Sequence, residues 1–235
     1  MTTVGGSPVD PARVADQVAA VRARIAAVAP MPDRVTVVAV TKGFGLDAVD
    51  AAVAAGLADL GENYAQELLA KASNRPSADV EGPLRWHFLG AIQRNKVARL
   101  APLVSCWHTV ARVEEASAIA RHRPGARVLI EVDVSDTPGR NGCRTDQVAG
   151  VVGGARHAGL DVAGLMTVAP PGADRARDAF STVAGLADDL GLPERSMGMS
   201  DDYELALEHG STMVRLGRVL FGDRPPRPSR PGAGG

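Results

Sequence analysis

The chain has 235 residues, of which 45% are hydrophobic and 23% charged, an ordinary balance for a globular protein with a buried core. Lys and Arg (26) nearly cancel Asp and Glu (27), leaving a net charge of -1, which argues against a dedicated nucleic-acid binder. No apolar run approaches the roughly 18 residues a membrane helix needs. The first residues, through Pro8, lack the basic and apolar regions of a secretory signal. Cys106 and Cys143 are the only cysteines, a usage that suits free thiols in a reducing cytoplasm, so a cytoplasmic location is expected.

Asp10 followed by Pro11 forms a helix start, because a proline at the first helical position lacks an N–H that would be unpaired anyway. Val14, Val18, Val21, Ile25 and Val28 then recur at steps of three and four, one apolar stripe that Pro30 ends. Residues 35–40 (VTVVAV) form an uncharged, β-branched run of the kind buried on both faces of a sheet. Leu46, Val49 and Val53 carry a second helical stripe up to Gly56.

The alternation continues with expected strands at 57–62, 84–89, 103–110, 127–134, 162–168, 195–199 and 212–217. Helices are expected at 63–73, 92–100, 113–122, 146–158, 173–190 and 201–208. Eight strands alternating with helices indicate an α/β chain closed as a (β/α)8 TIM barrel, a fold that typically takes roughly 250 residues and runs down to about 200. The alternative is an open doubly wound sheet, but the first strand is followed by Thr41-Lys42-Gly43-Phe44-Gly45 rather than GxGxxG. One domain is expected over residues 1–222. The tail from Asp223 to Gly235 (DRPPRPSRPGAGG) has no large apolar residue to repay its ordering and is expected to be disordered.

In such a barrel the chemistry sits where the strands end. Lys42 lies two residues past the first strand, its stem against apolar walls, where desolvation favours the free, nucleophilic amine. Alone it would read as an exposed loop lysine. After the seventh strand come Ser196-Met-Gly-Met-Ser200-Asp201-Asp202, and after the eighth Arg215-Leu-Gly217-Arg218. A glycine turn, a hydroxyl and a helix start make an anion site, and barrels usually hold phosphate in those two loops. Arg215 adds a fixed cation that could meet a phosphate or a ring nitrogen. A phosphorylated carbonyl compound would satisfy both ends, with pyridoxal 5′-phosphate the first candidate and a sugar phosphate in an aldolase the competitor.

Asn63 follows the second strand and could cap a helix or reach a ligand. On the third strand, alternation places His87 and Leu89 on one face and Trp86 and Phe88 on the other. His87 by itself reads as a structural histidine, and the remaining histidines lack metal-ligand spacing, so no metal is assigned. Glu131 and Asp133 share a face of the fifth strand, either as a carboxylate pair in the interior or as polar core groups bonded to neighbours, the second being preferred. Nothing near Cys143 marks it as an activated thiol.

The segments VAVTK (38–42), GENYAQELLAK (61–71), WHFLGAIQRNKV (86–97), GLMTVAP (164–170) and SMGMSDDYELALEHGSTMVRLGRVLFG (196–222) resemble the pyridoxal phosphate homeostasis proteins, a YggS-type family related to the N-terminal domain of alanine racemase. The resemblance runs over about residues 10–222. It implies a fold-type III barrel that holds pyridoxal 5′-phosphate as a Schiff base on Lys42. Ser200 and the backbone of Gly217 and Arg218 would take the phosphate, and Arg215 and Asn63 would be further contacts. Two departures stand out: Ala91 occupies a position where the family commonly has histidine, and Arg218 one where it often has threonine or a small residue, so only the Arg218 backbone amide carries over.

The resemblance further implies a role in vitamin B6 homeostasis without turnover of its own, with apo pyridoxal-phosphate enzymes as partners. The alternative is a slow amino-acid racemase. Racemisation needs an acid/base on each face of the α-carbon, and the tyrosine that alanine racemase takes from a second domain has no counterpart expected here, since Tyr64 and Tyr203 fall in helical segments. The same missing domain makes a monomer the expectation.

Overall fold

The computed structural model describes residues 9–74, 83–135 and 139–224. Asp10 caps the first helix, its carboxylate accepting from the Ala12 N–H at 3.0 Å, and α1 (Pro11–Val28) buries Val14, Val18, Val21 and Ile25 as one stripe. The strand β1 (Thr36–Val40) follows, then α2 (Leu46–Ala54), β2 (Asp59–Glu62), α3 (Ala65–Asn74), β3 (Arg85–Phe88), α4 (Arg94–Leu100), β4 (Val104–Val110), α5 (Val113–His122) and β5 (Arg127–Asp133). The second half runs β6 (Cys143–Arg144), α6 (Val148–His157), β7 (Asp161–Met166), α7 (Ala173–Asp189), β8 (Glu194–Ser196), α8 (Tyr203–Glu208), β9 (Met213–Leu216) and α9 (Arg218–Phe221).

All strand pairs are parallel, and the order β1-β2-β3-β4-β5-β7-β8-β9 returns to β1 through the register Thr36↔Met213 to Ala39↔Leu216. Eight strands thus close a (β/α)8 barrel, and the open-sheet alternative falls. The two-residue β6 lies outside the ring and, among the described residues, pairs only with β5, at Val132↔Cys143 and Asp133↔Arg144.

The outer shell carries most of the apolar core. Strand residues such as Val37, Ala39, Trp86, Phe88, Trp107, Val214 and Leu216 pack there against the helices. Residues of the other parity face inward: Cys106, Leu129, Ala163, Met166 and Met213 form a small apolar cluster, beside the buried polar groups His87, His108, Ser196 and Arg215. His87 and Trp86 therefore lie on opposite faces, as strand alternation requires.

Element positions agree with the sequence pattern, and boundaries differ at one informative place. The seventh barrel strand ends at Ser196 rather than 199, because Gly198 turns the chain at φ +91°. A Cβ there would stand 2.8 Å from Tyr203 Cα, so only glycine fits. The expected helix over 201–208 accordingly starts at Tyr203. The tail from Pro225 onward lies outside the described residues.

Candidate functional site

The carboxyl ends of the strands surround a cavity of about 370 Å³. Its walls include every residue that the sequence assigned to the cofactor: Lys42, Asn63, Ser200, Arg215, Gly217 and Arg218. Val40, Leu89, Met166 and Val168 supply apolar surface, a mixture usual in small-molecule sites.

Lys42 stands two residues beyond β1 and is half-buried. Burial lowers its amine pKa, and the cations of Arg224 and Arg215 push in the same direction. The turn that carries Lys42 is clamped from behind. Buried Lys71 of α3 donates to the Thr41 carbonyl at 2.7 Å and to Glu62 Oε1 at 2.6 Å, while the Thr41 hydroxyl donates to the same Glu62 oxygen at 2.6 Å. Glu67 Oε2 accepts from the Gly43 N–H at 2.7 Å. Burial raises the Glu62 pKa, with Lys71 opposing it. Sequence reading passed over Glu62 and Lys71, although a lysine on the buried stripe with Ala65 and Leu68 was a signal that it must have a partner.

Asn63 is set by a close backbone approach. A Cβ on Gly90 would fall 1.9 Å from the Asn63 carbonyl oxygen, so the glycine of GAIQRNK is what lets the β3 and β2 loops meet. The Thr109 hydroxyl donates to the Gly90 carbonyl at 2.6 Å and fixes that loop. Asn63 Nδ2 reaches the Leu89 carbonyl at 3.4 Å, and its buried Oδ1 has no partner among the described residues.

On the opposite wall, Ser200 Oγ accepts from the Val219 N–H at 3.2 Å, tying the loop after β8 to the start of α9. This four-residue helix, begun at Gly217, was not anticipated. Arg218 is exposed and paired with Asp201, so its side chain is already engaged at the rim. Arg215 lies deeper and is almost wholly buried. Its Nη1 donates to the Ser196 carbonyl at 2.6 Å and to Ser196 Oγ at 2.7 Å, and its Nη2 donates to the Thr167 carbonyl at 2.7 Å. Burial draws its pKa down to about 10, against the nearby carboxylates of Asp202 and Glu131.

Glu131 also lines the cavity, hydrogen-bonded by Asn141, and burial raises its pKa. Asp133 instead accepts from the Ser135 N–H at 2.9 Å and from its hydroxyl at 2.7 Å. The two are polar groups bonded to neighbours, as preferred from the sequence. Cys143 is buried in β6 with its thiol pushed up to about 11. The fold does join two histidines that the sequence left scattered: His87, Cys106 and His108 bring ligand-type atoms within 4.8 Å of one another. Each ring nitrogen of that pair already has a hydrogen-bond partner, and burial pushes the Cys106 thiol up to about 12.

The sequence matches the family described as alanine racemase, N-terminal domain, across residues 9–225. The pyridoxal phosphate homeostasis protein of Pseudomonas aeruginosa is 38% identical over 224 residues, covering 90% of this chain and 96% of its own. That of Escherichia coli K12 is 34% identical over 230 residues, covering 90% of this chain and 97% of its own. Among solved structures, PipY of Synechococcus elongatus with PLP bound superposes with a TM-score of 0.76 at 28% identity, over 89% of this chain and all (100%) of that one. Lysine decarboxylase of Selenomonas ruminantium, 15% identical with a TM-score of 0.67 over 88% of this chain and 61% of that one, shares the fold alone.

Proposed function

The chain belongs to the alanine racemase N-terminal-domain family, among its pyridoxal phosphate homeostasis proteins, and from that membership we propose how its own residues hold the cofactor. It is a pyridoxal 5′-phosphate-binding protein of vitamin B6 homeostasis. The residues present fit this group. A desolvated amine, a buried Asn63 oxygen unpartnered among the described residues and a hydroxyl-and-amide wall surround one cavity.

When bound, the cofactor brings an aldehyde that condenses with a free amine, and the covalent Schiff-base link is assigned to Lys42. The lowered pKa leaves more of the Lys42 amine unprotonated at a given pH, and the Thr41–Glu62–Lys71 clamp holds the turn that presents it. Ser200 and the backbone amides of Gly217 and Arg218 are assigned to the phosphate, at the barrel position where this fold usually binds one. Asn63 Oδ1 offers an acceptor on the facing wall. Arg215, lying below that rim on β9, is assigned to the pyridine ring, where a permanent cation would keep a ring nitrogen unprotonated and weaken the ring as an electron sink.

The single observation that carries the reading is the convergence of the lysine amine and the Ser200–Gly217–Arg218 wall on one cavity. We further propose storage and delivery to apo enzymes rather than turnover. Two-base racemisation needs a second acid/base across from the lysine, and neither tyrosine lines the cavity: Tyr203 is buried beside Glu204, and Tyr64 faces a separate pocket with Gln93 and Lys96. Amino-acid racemisation followed over a day should not exceed that of Lys42→Ala. Turnover above that control would make the protein a slow racemase.

A further inference from the structure

A line of hydrogen bonds crosses the barrel interior from its base to the cofactor cavity. Asp59, the first residue of β2, is paired with Arg85 at the base, where the Arg85 side chain is half-exposed. Asp59 Oδ1 meets His87 Nε2 at 3.0 Å, His87 Nδ1 meets His108 Nε2 at 2.8 Å, and His108 Nδ1 meets Ser196 Oγ at 3.0 Å. Ser196 Oγ then receives Arg215 Nη1 at 2.7 Å, and Arg215 lines the cavity. His87, His108, Ser196 and Arg215 are all buried on four different strands.

Counting hydrogens gives this line a direction. Burial raises the Asp59 pKa, but the bonds from His87 and Arg85 outweigh it and hold the carboxyl at about 2, so Asp59 is a pure acceptor and His87 Nε2 must donate. Only one hydrogen fits between the rings. If His108 donates it from Nε2, His108 Nδ1 is bare and accepts the Ser196 hydroxyl, whose oxygen keeps its lone pairs for Arg215. Every group is then satisfied. The reverse polarity needs a buried His87 imidazolium. It also places two donors on Ser196 Oγ and strands the hydroxyl hydrogen, a costly outcome in an enclosed interior. Complete burial, with the Arg215 cation pushing the same way, lowers the His108 pKa well below that of a free imidazole.

We propose that His87, His108 and Ser196 are positioning residues that form a one-directional relay, anchoring the Arg215 guanidinium in the cofactor cavity and linking it to Asp59 at the opposite end of the barrel. The proposal rests on the assignment of Arg215 to the cofactor for its functional half alone, because the relay itself exists without ligand.

The test has two arms on the full-length protein. Without cofactor, long-range proton–nitrogen spectra of the imidazoles, only five in the chain, should show His87 and His108 as neutral Nε2–H tautomers, assigned by their loss in His87→Gln and His108→Gln. An imidazolium or an Nδ1–H tautomer at either ring overturns the polarity. In the second arm, Ser196→Ala loaded with pyridoxal 5′-phosphate should lose it on dialysis about two- to tenfold faster, as expected for one buried hydrogen bond, with a displaced absorption band. Cys106→Ala, in the same interior but outside the line, should change neither. Wild-type band and retention in both Ser196→Ala and His108→Gln overturn the positioning role. Were the wild type to take up no pyridoxal 5′-phosphate, the cofactor reading would fall by itself, and the tautomers alone would decide the relay.

Discussion

A lysine is a useful nucleophile only when something opposes its charge, and at Lys42 burial does most of this, with Arg224 and Arg215 adding to it. The amine is therefore unprotonated at lower pH than an ordinary lysine, whose pKa is about 10.4. The initial rate of cofactor capture, followed by absorbance, should rise with pH to a midpoint below that of free lysine. Arg224→Ala removes an exposed like charge and should move the midpoint upward, an effect that fades in high salt. A midpoint at the free-lysine value would contradict the desolvation argument. The clamp behind Lys42 gives a second test. Lys71→Met leaves Glu62 charged in a site with no solvent exposure, which should cost about 3–5 kcal/mol in urea unfolding. The double variant Glu62→Gln/Lys71→Met should recover most of the loss, and a single-variant cost below about 1 kcal/mol would mean that the lone Glu62 carboxyl is relieved by taking up a proton or water. At this scale the sequence showed which side chains reach the mouth, because each follows a strand. It did not show what they lean on: Glu62 and Lys71 belong to different elements, and His87, His108 and Ser196 meet only because three separate strands turn the same parity inward.

The elements were legible wherever burial imposes a long pattern. The uncharged run of β1, the alternation along β5 and the stripe of α1 are each long enough to show a pattern, and these positions agree with the structure. The two residues of β6 and the four of α9 are too few to display any period. For β8 the apolar content, Met197 and Met199, continued past the real strand end, and the positive φ of Gly198 decided the boundary. Loop contacts between elements are sharper constraints than either pattern. Gly90→Ala would force a methyl to within 1.9 Å of the Asn63 carbonyl, so the β2 and β3 loops must separate. We expect a loss of about 1–3 kcal/mol in stability together with weaker cofactor retention. Gly125→Ala meets no atom within 4 Å, so it isolates the cost of a positive φ, and its retention should be unchanged. Equal retention in the two variants would remove Asn63 from the site.

For the molecule as a whole, closure between β9 and β1 is what turns a run of strand ends into one cavity, because it brings Lys42, near the start of the chain, to face Arg215 and Gly217, near its end. The N-terminal α1 contributes to that closure by packing its valine stripe against α2, α8 and α9, across the seam. Such long-range joining is beyond local sequence periods, and the motif resemblance supplied what periodicity could not. The most direct measurement is reduction of the pyridoxal 5′-phosphate-soaked and dialysed protein with borohydride, followed by peptide mapping. The mass of the reduced cofactor should be found on the peptide bearing Lys42 and vanish in Lys42→Ala. A label on Lys71, on Lys96 or on no peptide would contradict a covalent hold at the barrel mouth.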